Sequence, residues 1–316
     1  MRNICPMLGP ENPIMKRRTF LALLLAGAAT HVAANGRPAL RIGLTPVTLL
    51  ESRRLLSDWA RYLSERLHRP VEFVVRQTYH EVTQLLLAEA LDVGWICGLP
   101  YVRNKKLLRL LATPLDEGKP LYRSYLIVPA TDLKTTSLAD LKGKVFAYVS
   151  PDSNSGWLVP QVDLRHMGVD PKQFFRKAFF AGDHRDVVDA VANGLADGGA
   201  MDGHIWDTLR RFRPEAVRNT RVVAKSTEYA FPPIVARASL PANDFVAVQR
   251  VLREMEGNPQ GKALLDALNL TGFAAGNTGL YQSIEDNLRF VIGSLRCSRI
   301  SASDIRLRSV SRPPSC

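Results

Sequence analysis

Cysteine is scarce in this chain: four in 316 residues, at positions 5, 97, 297 and 316. Cys5 falls in an N-terminal leader, which leaves an odd number without metal-like spacing. Cys97 lies inside an apolar stretch and reads as a buried thiol. No cysteine stands at a plausible leader-cleavage point, so a lipid anchor is not indicated. No group of His, Asp and Glu has the spacing of metal ligands, and no cofactor is implied. No G-x-S-x-G elbow surrounds Ser153 or Ser155, and no oxyanion donor set exists apart from those serines, so a catalytic reading finds little support. Acidic residues are also in deficit, 30 against 42 basic, for a net charge of +12. That excess sits largely in the two ends: residues 1–34 hold four basic residues and one acid, and five arginines follow Gly293. A nucleic-acid partner would want the charge clustered on a folded face. The mildly basic body suits a small anion.

What is present begins with Lys16-Arg17-Arg18, an apolar run Phe20–Ala26, and small residues at Val32 and Ala34. This is the layout of a secretory signal, and the run is too short to span a bilayer. Arg17 to Leu21 resembles a twin-arginine export signal, and Met15 makes a better start than Met1. Residues 1–34 are therefore expected to be a cleaved leader, and the mature protein to be soluble.

From Leu40 onward, short β-rich runs alternate with helical ones. "LRIGL" (40–44) is a strand; Leu55, Leu56, Trp59, Tyr62, Leu63 and Leu67 follow at helical spacing; "VEFVV", a helix from Tyr79 to Glu89, and "DVGWI" come next. This order predicts an α/β fold with mostly parallel sheets. Beyond Ser294 the chain is rich in Ser, Arg and Pro without periodicity, and residues 294–316 are expected to be a disordered basic tail.

An internal repeat supports two similar lobes. Residues 71–101 align without gaps on 176–206, at an offset of 105. Val82, Asp92, Gly94 and Gly98 meet identical residues at 187, 197, 199 and 203. Thr78/Glu81 and Asp183/Asp186 form capping-box-like pairs, while Tyr79 meets His184 and Tyr101 meets Trp206. Two such lobes make a cleft, and ligands of open α/β sheets bind beyond the carboxyl ends of the strands. Tyr79, Tyr101, His184 and Asp202 all lie there, as does "SPDSNSGW" after the strand at 144–149. In that stretch Ser153, Asn154, Ser155 and Gly156 precede a helix whose first turn has free N–H groups and a dipole favouring negative charge. Hydroxyls, amide and backbone together read as an anion cradle, with Gly156 allowing close approach of a ligand and Pro160 in the first turn. A plain serine-rich N-cap is the alternative.

The segments "LRIGLTPV", "TYHEVTQLLLAEALDVGWICGLPYV", "LADLKGKVFAYVSPDSNSGWLVPQ", "GDHRDVVDAVANGLADGGAMDGHIWD" and "FPPIVAR" together resemble the phosphonate/phosphite-binding group of periplasmic substrate-binding proteins of ABC importers. The resemblance runs from about Leu40 to Phe290. It implies two α/β lobes joined by two crossovers, with lobe one at 36–128 plus 233–293 and lobe two at 129–232. The crossovers are expected near 125–129 and 231–237. By the same resemblance Tyr79 and Tyr101 wall one jaw; Ser153, Asn154 and Ser155 form the cradle; His184 touches the same oxygens; Asp202 meets the amino or alkyl end of a ligand. The implied protein is not an enzyme; it is a periplasmic, monomeric carrier of a small oxyanion that serves a membrane permease. Two positions depart from the pattern. Asn154 replaces a common threonine and is expected to supply two donors where threonine supplies one, and Trp157 is bulkier than the usual aromatic. A sensory receptor of the same fold is the runner-up; an enzyme acting on phosphorus esters through Ser155 and His184 is a second alternative, and a different ligand marked by Asn154 and Trp157, such as a sulfonate or a small heterocycle, is a third.

Overall fold

The computed structural model of the protein describes residues 37–45 and 53–293. The expected leader and the Ser/Arg-rich tail lie outside the described residues. Among the described residues, eleven strands form two sheets. The first contains β1 (Leu40–Leu44), β2 (Val71–Val75), β3 (Val93–Trp95), β4 (Leu108–Leu115), β10 (Ile234–Arg237) and β11 (Gly272–Ala275), in the order β11-β4-β10-β3-β1-β2. The second contains β5 (Leu121–Pro129), β6 (Val145–Tyr148), β7 (Lys177–Phe180), β8 (Gly198–Asp202) and β9 (Thr220–Ala230), in the order β7-β6-β8-β5-β9. In each, three parallel strands (β2-β1-β3 and β7-β6-β8) continue into antiparallel neighbours. This is the two-lobed α/β architecture anticipated above.

The repeat is structural. The helix Tyr79–Leu87 and the helix His184–Ala192 begin and end 105 residues apart. The repeated aspartates do the same work in both lobes: Asp92 Oδ2 accepts from Arg41 N (2.9 Å), and Asp197 Oδ2 accepts from Val145 N (2.8 Å), each tying one parallel strand to the next. The repeated glycines are packing glycines. A Cβ on Gly94 or Gly199 would stand 2.6 Å from Leu86 Cδ1 or Val187 Cγ1, so the helix could not lie on the sheet. The caps differ. Thr78 and Glu81 complete a reciprocal box, whereas Asp183 accepts from Asp186 N (2.9 Å) without the return bond. Asp186 is shorter than glutamate and shares the charge of Asp183.

The chain passes between sheets at 116–120 and again at 231–233. The second passage lies within the expected segment. The first precedes the expected 125–129, because Leu121–Pro129 pairs with β8 and β9 along its length, and Pro129 merely ends the strand. The passage is instead a tight turn closed by the Asp116–Lys119 bridge.

Candidate functional site

Six of the seven residues singled out from the sequence gather where the lobes meet. Tyr79 and His184, the first residues of the two repeat-related helices, face each other with ring centroids 6.4 Å apart. Ser153, Asn154, Ser155, His184 and Asp202 are fully buried polar residues, and Tyr79 is buried with them. Tyr101 stands apart. It is buried, but packs edge-on against Tyr281 (4.9 Å) and shares no hydrogen bond or ring contact with the other six among the described residues.

The cradle stretch is held by an unusual turn. Residues Asn154–Leu158 form a π-helical turn that runs into the α-helix Val159–His166. Pro160 lacks the N–H that would close an ordinary helical bond to Gly156 O. That carbonyl accepts instead from Val149 N (3.3 Å), and Ser155 O accepts from Ser124 Oγ (2.8 Å). Wide turns of this kind recur at functional sites. Gly156 is not kept for a ligand's approach: a Cβ there would collide with the Val149 side chain and stand 3.1 Å from Ala200 O. Several donors of the expected cradle are also already engaged. Gly156 N donates to Ser153 Oγ (2.9 Å), and Asn154 N donates to Cys97 Sγ across the lobes (3.3 Å). Asn154 Nδ2 donates to Tyr122 Oη (3.0 Å). Two buried side-chain atoms here have no partner, Tyr79 Oη and Asn154 Oδ1.

Protonation follows from burial. His184 Nδ1 accepts from Asp202 N (3.0 Å), so the ring proton sits on Nε2. Burial pushes this imidazole down to about 3, so it is a neutral donor at physiological pH. Burial drives the Tyr79 and Tyr122 hydroxyls well above their ordinary range and raises the Cys97 thiol to about 11, so all three stay protonated. Asp202 caps the helix Gly203–Phe212, its Oδ1 accepting from His204 N (2.9 Å) and Ile205 N (3.4 Å). Burial lifts its carboxyl to about 7, partly opposed by His204 and by those two N–H groups. His204 itself loses proton affinity to burial but gains more from Asp116, 3.2 Å away, and from Asp202, so its value rises. Within this fully buried polar group His184 is the base and Asp202 the acid, and the nearly buried His204 adjoins them beside Asp202. No lysine or arginine stands within the buried group, so its contacts to an anion would come from neutral dipoles, while Lys119, Arg123, His204 and Lys225 line the adjoining cleft.

Sequence reading missed Tyr122, Ser124 and Cys97 as members of this group. Tyr122 and Ser124 alternate along β5, so a period-two polar pattern within an apolar strand was the available signal. Trp157 lies at the rim, under the Arg103 guanidinium of the other lobe (5.9 Å), and Arg103 also pairs with Asp152. Trp206 is core, its Nε1 donating to Thr220 Oγ1 (3.2 Å). A polar cleft of about 700 Å³ adjoins the group through Tyr122 and His204, beside the Asp116–Lys119 turn. Among the described residues no group of His, Cys, Asp and Glu could hold a metal ion, and no helix is long and apolar enough to cross a membrane.

Comparison with known proteins identifies relatives of the same fold. A probable phosphite-binding protein of an ABC transporter from Prochlorococcus marinus (strain MIT 9301) is 24% identical over 280 residues, 84% of this chain and 93% of the relative. The phosphonates-binding periplasmic protein of Escherichia coli (strain K12) is 25% identical over 253 residues, 77% of this chain and 74% of the relative. A crystal structure of the Prochlorococcus marinus protein in complex with methylphosphonate superposes with a TM-score of 0.71 at 23% identity, covering 80% of this chain and 98% of that one. A family profile described as "ABC transporter, phosphonate, periplasmic substrate-binding protein" matches residues 42–281. The chain belongs to the phosphonate-binding family of periplasmic substrate-binding proteins of ABC transporters.

Proposed function

We propose that this chain is exported to the periplasm, captures a phosphorus oxyanion of the phosphonate or phosphite class between its lobes, and delivers it as a monomer to an ABC permease. The observation that carries this reading is the buried, cation-free meeting of Tyr79 and His184 with Ser153, Asn154 and Ser155, in which two polar atoms lack a partner. Tyr79 Oη and His184 Nε2–H serve as donors from opposite lobes, and the hydroxyls of Ser153 and Ser155 line the cradle. Asp202 faces the substituent of the ligand, and Tyr101 backs the wall of the first lobe. The lobes divide at the two passages between sheets, so a ligand touching both sides stabilises the closed state through contacts the open state lacks. The resemblance to a phosphite-binding and a phosphonates-binding protein supports the ligand class.

Titration calorimetry of the chain from Asn35 against methylphosphonate, phosphite, 2-aminoethylphosphonate, phosphate and sulfate tests this. Micromolar or tighter binding of at least one phosphorus compound, weakened at least ~10-fold in Ser155→Ala, is expected from the loss of one hydrogen bond to a charged group. Absence of binding across all the phosphorus compounds refutes the reading. An independent check is thermal: a ligand at 100 times its Kd adds about 2.7 kcal/mol of stability.

A further inference from the structure

Asn154 is immobilised from three directions. Its backbone N–H donates to Cys97 Sγ (3.3 Å), its carbonyl accepts from Val159 N in the π-turn, and its Nδ2 donates to Tyr122 Oη (3.0 Å). Tyr122 is buried too, and its hydroxyl also engages that of Ser155. The phenol oxygen accepts from Asn154 Nδ2, which sets the direction of the amide. With Nδ2 committed, the open polar atom of Asn154 is Oδ1, buried and unpartnered. An amide oxygen only accepts. The sequence suggested a residue offering two donors; the folded chain spends one on Tyr122 and offers an acceptor instead.

An acceptor in an anion cradle is selective. The oxygens of a fully ionised oxyanion are acceptors as well, so one placed against Asn154 Oδ1 would set two lone pairs together and leave both unpaired. A monoprotonated phosphonate carries a P–OH, which donates to Oδ1, while its remaining oxygens accept from Tyr79 Oη, His184 Nε2–H and the serines. A sulfonate of the same shape and the same single negative charge carries no proton at neutral pH. We infer that Asn154, held by Tyr122 as a positioning residue, makes this site select a proton-bearing oxyanion such as a monoprotonated phosphonate over the isosteric sulfonate. This rests on the reading of the site as a phosphorus-oxyanion pocket. Sites built to pair a ligand hydroxyl reject the analogue lacking it far more strongly than apolar sites reject a missing methylene.

Methylphosphonate and methanesulfonate form the test pair, titrated at about pH 7 into the full mature chain and into Asn154→Thr and Tyr122→Phe. The wild type is expected to prefer methylphosphonate by at least ~100-fold, within what a paired hydroxyl supplies. In Asn154→Thr a hydroxyl that can donate replaces the acceptor, and the ratio should fall at least ~10-fold by gain of sulfonate affinity. In Tyr122→Phe the amide is free to turn its NH₂ inward, so the ratio should fall while methylphosphonate still binds. That is a change in selectivity which simple loss of folding would not produce. Equal affinity of the wild type for both compounds, or a ratio unchanged in both variants, would overturn the inference and leave the functional reading intact. If neither these compounds nor the other phosphorus oxyanions bind, the functional reading falls and the inference with it.

Discussion

Asp202→Asn isolates what it costs this fold to bury a carboxyl group beside its cleft. Asparagine caps a helix as well as aspartate does, so the bonds from His204 N and Ile205 N can persist while the charge is removed. In the wild type, burial lifts the carboxyl from 3.8 to about 7. Across that interval the folded chain keeps a proton that the unfolded chain has released, so stability falls as pH rises and levels off above about 7. Three units at about 1.4 kcal/mol each put the cost near 4 kcal/mol. Part of it is returned through His204, whose charged form Asp202 supports, so a net of about 2–4 kcal/mol is expected. His184 acts in the opposite sense. Its folded value of about 3 against an ordinary 6.5 means that the unfolded chain takes up a proton the folded chain refuses, and stability is lost as pH falls through that range.

Between about pH 4 and 6.5 the two contributions cancel, and the wild type should be nearly level with respect to this pair. Asp202→Asn removes one slope and uncovers the other. Urea denaturation from about pH 4 to 8 should find the variant more stable by about 2–4 kcal/mol at the alkaline end and equal to wild type at the acidic end, with about 1.4 kcal/mol lost per unit between 6.5 and 4. In thermal melts the alkaline gain corresponds to roughly 5–15 °C for a domain of this size. A variant less stable than wild type at about pH 8, or a difference independent of pH, would show that the capping network outweighs burial and would refute the reasoning.

Tyr79→Phe removes a buried hydroxyl that has no partner; the ligand-free chain should gain about 1 kcal/mol while affinity for the phosphorus oxyanion drops at least ~10-fold. Melting and calorimetry on the same sample check this, and unchanged affinity would remove Tyr79 from the site. Gly156→Ala forces a methyl into Val149 and should cost about 1–3 kcal/mol in urea denaturation; an unaltered midpoint would refute the packing role. The Cys97 thiol, buried and raised to about 11, should react with iodoacetamide at least ~100-fold more slowly in the folded chain than in urea. A comparable rate in both would mean that the lobes open far more readily than their buried contacts imply.

The fold was legible wherever a residue's role is local or repeated. The alternation of strands and helices, and the offset of 105, place both sheets because Asp92 and Asp197 must meet a strand N–H, and Gly94 and Gly199 must admit a helix. The first passage between lobes precedes the expected 125–129, because Leu121–Pro129 pairs along its length as a strand and the turn at 116–119 makes the passage. Gly156 was assigned to a ligand because the Val149 side chain it accommodates comes from a different element. Six of the seven expected residues come together in the fold, since strand ends and helix starts mark them. The direction of the Asn154 amide was out of reach, because it depends on a phenol 32 residues earlier in the chain.

That dependence matters because no lysine or arginine stands among the buried polar residues around Asn154. Where a lysine or arginine supplies the attraction, discrimination among anions of equal charge is weak, since the Coulomb term is the same for each. Here the ordinary bases are absent from the buried group, His184 is kept neutral by burial, and Asp202 opposes negative charge whenever it is ionised. Within the buried group attraction therefore comes from hydrogen bonds, whose sign and direction differ atom by atom between one oxyanion and another. On the proposed reading, Tyr79 from the first lobe and His184 from the second offer donors on both sides to an oxyanion of either kind. Asn154 Oδ1 is the atom that can tell a protonated oxygen from an unprotonated one. A cradle that holds a fixed neutral acceptor among its donors converts a difference of one proton into a difference in binding.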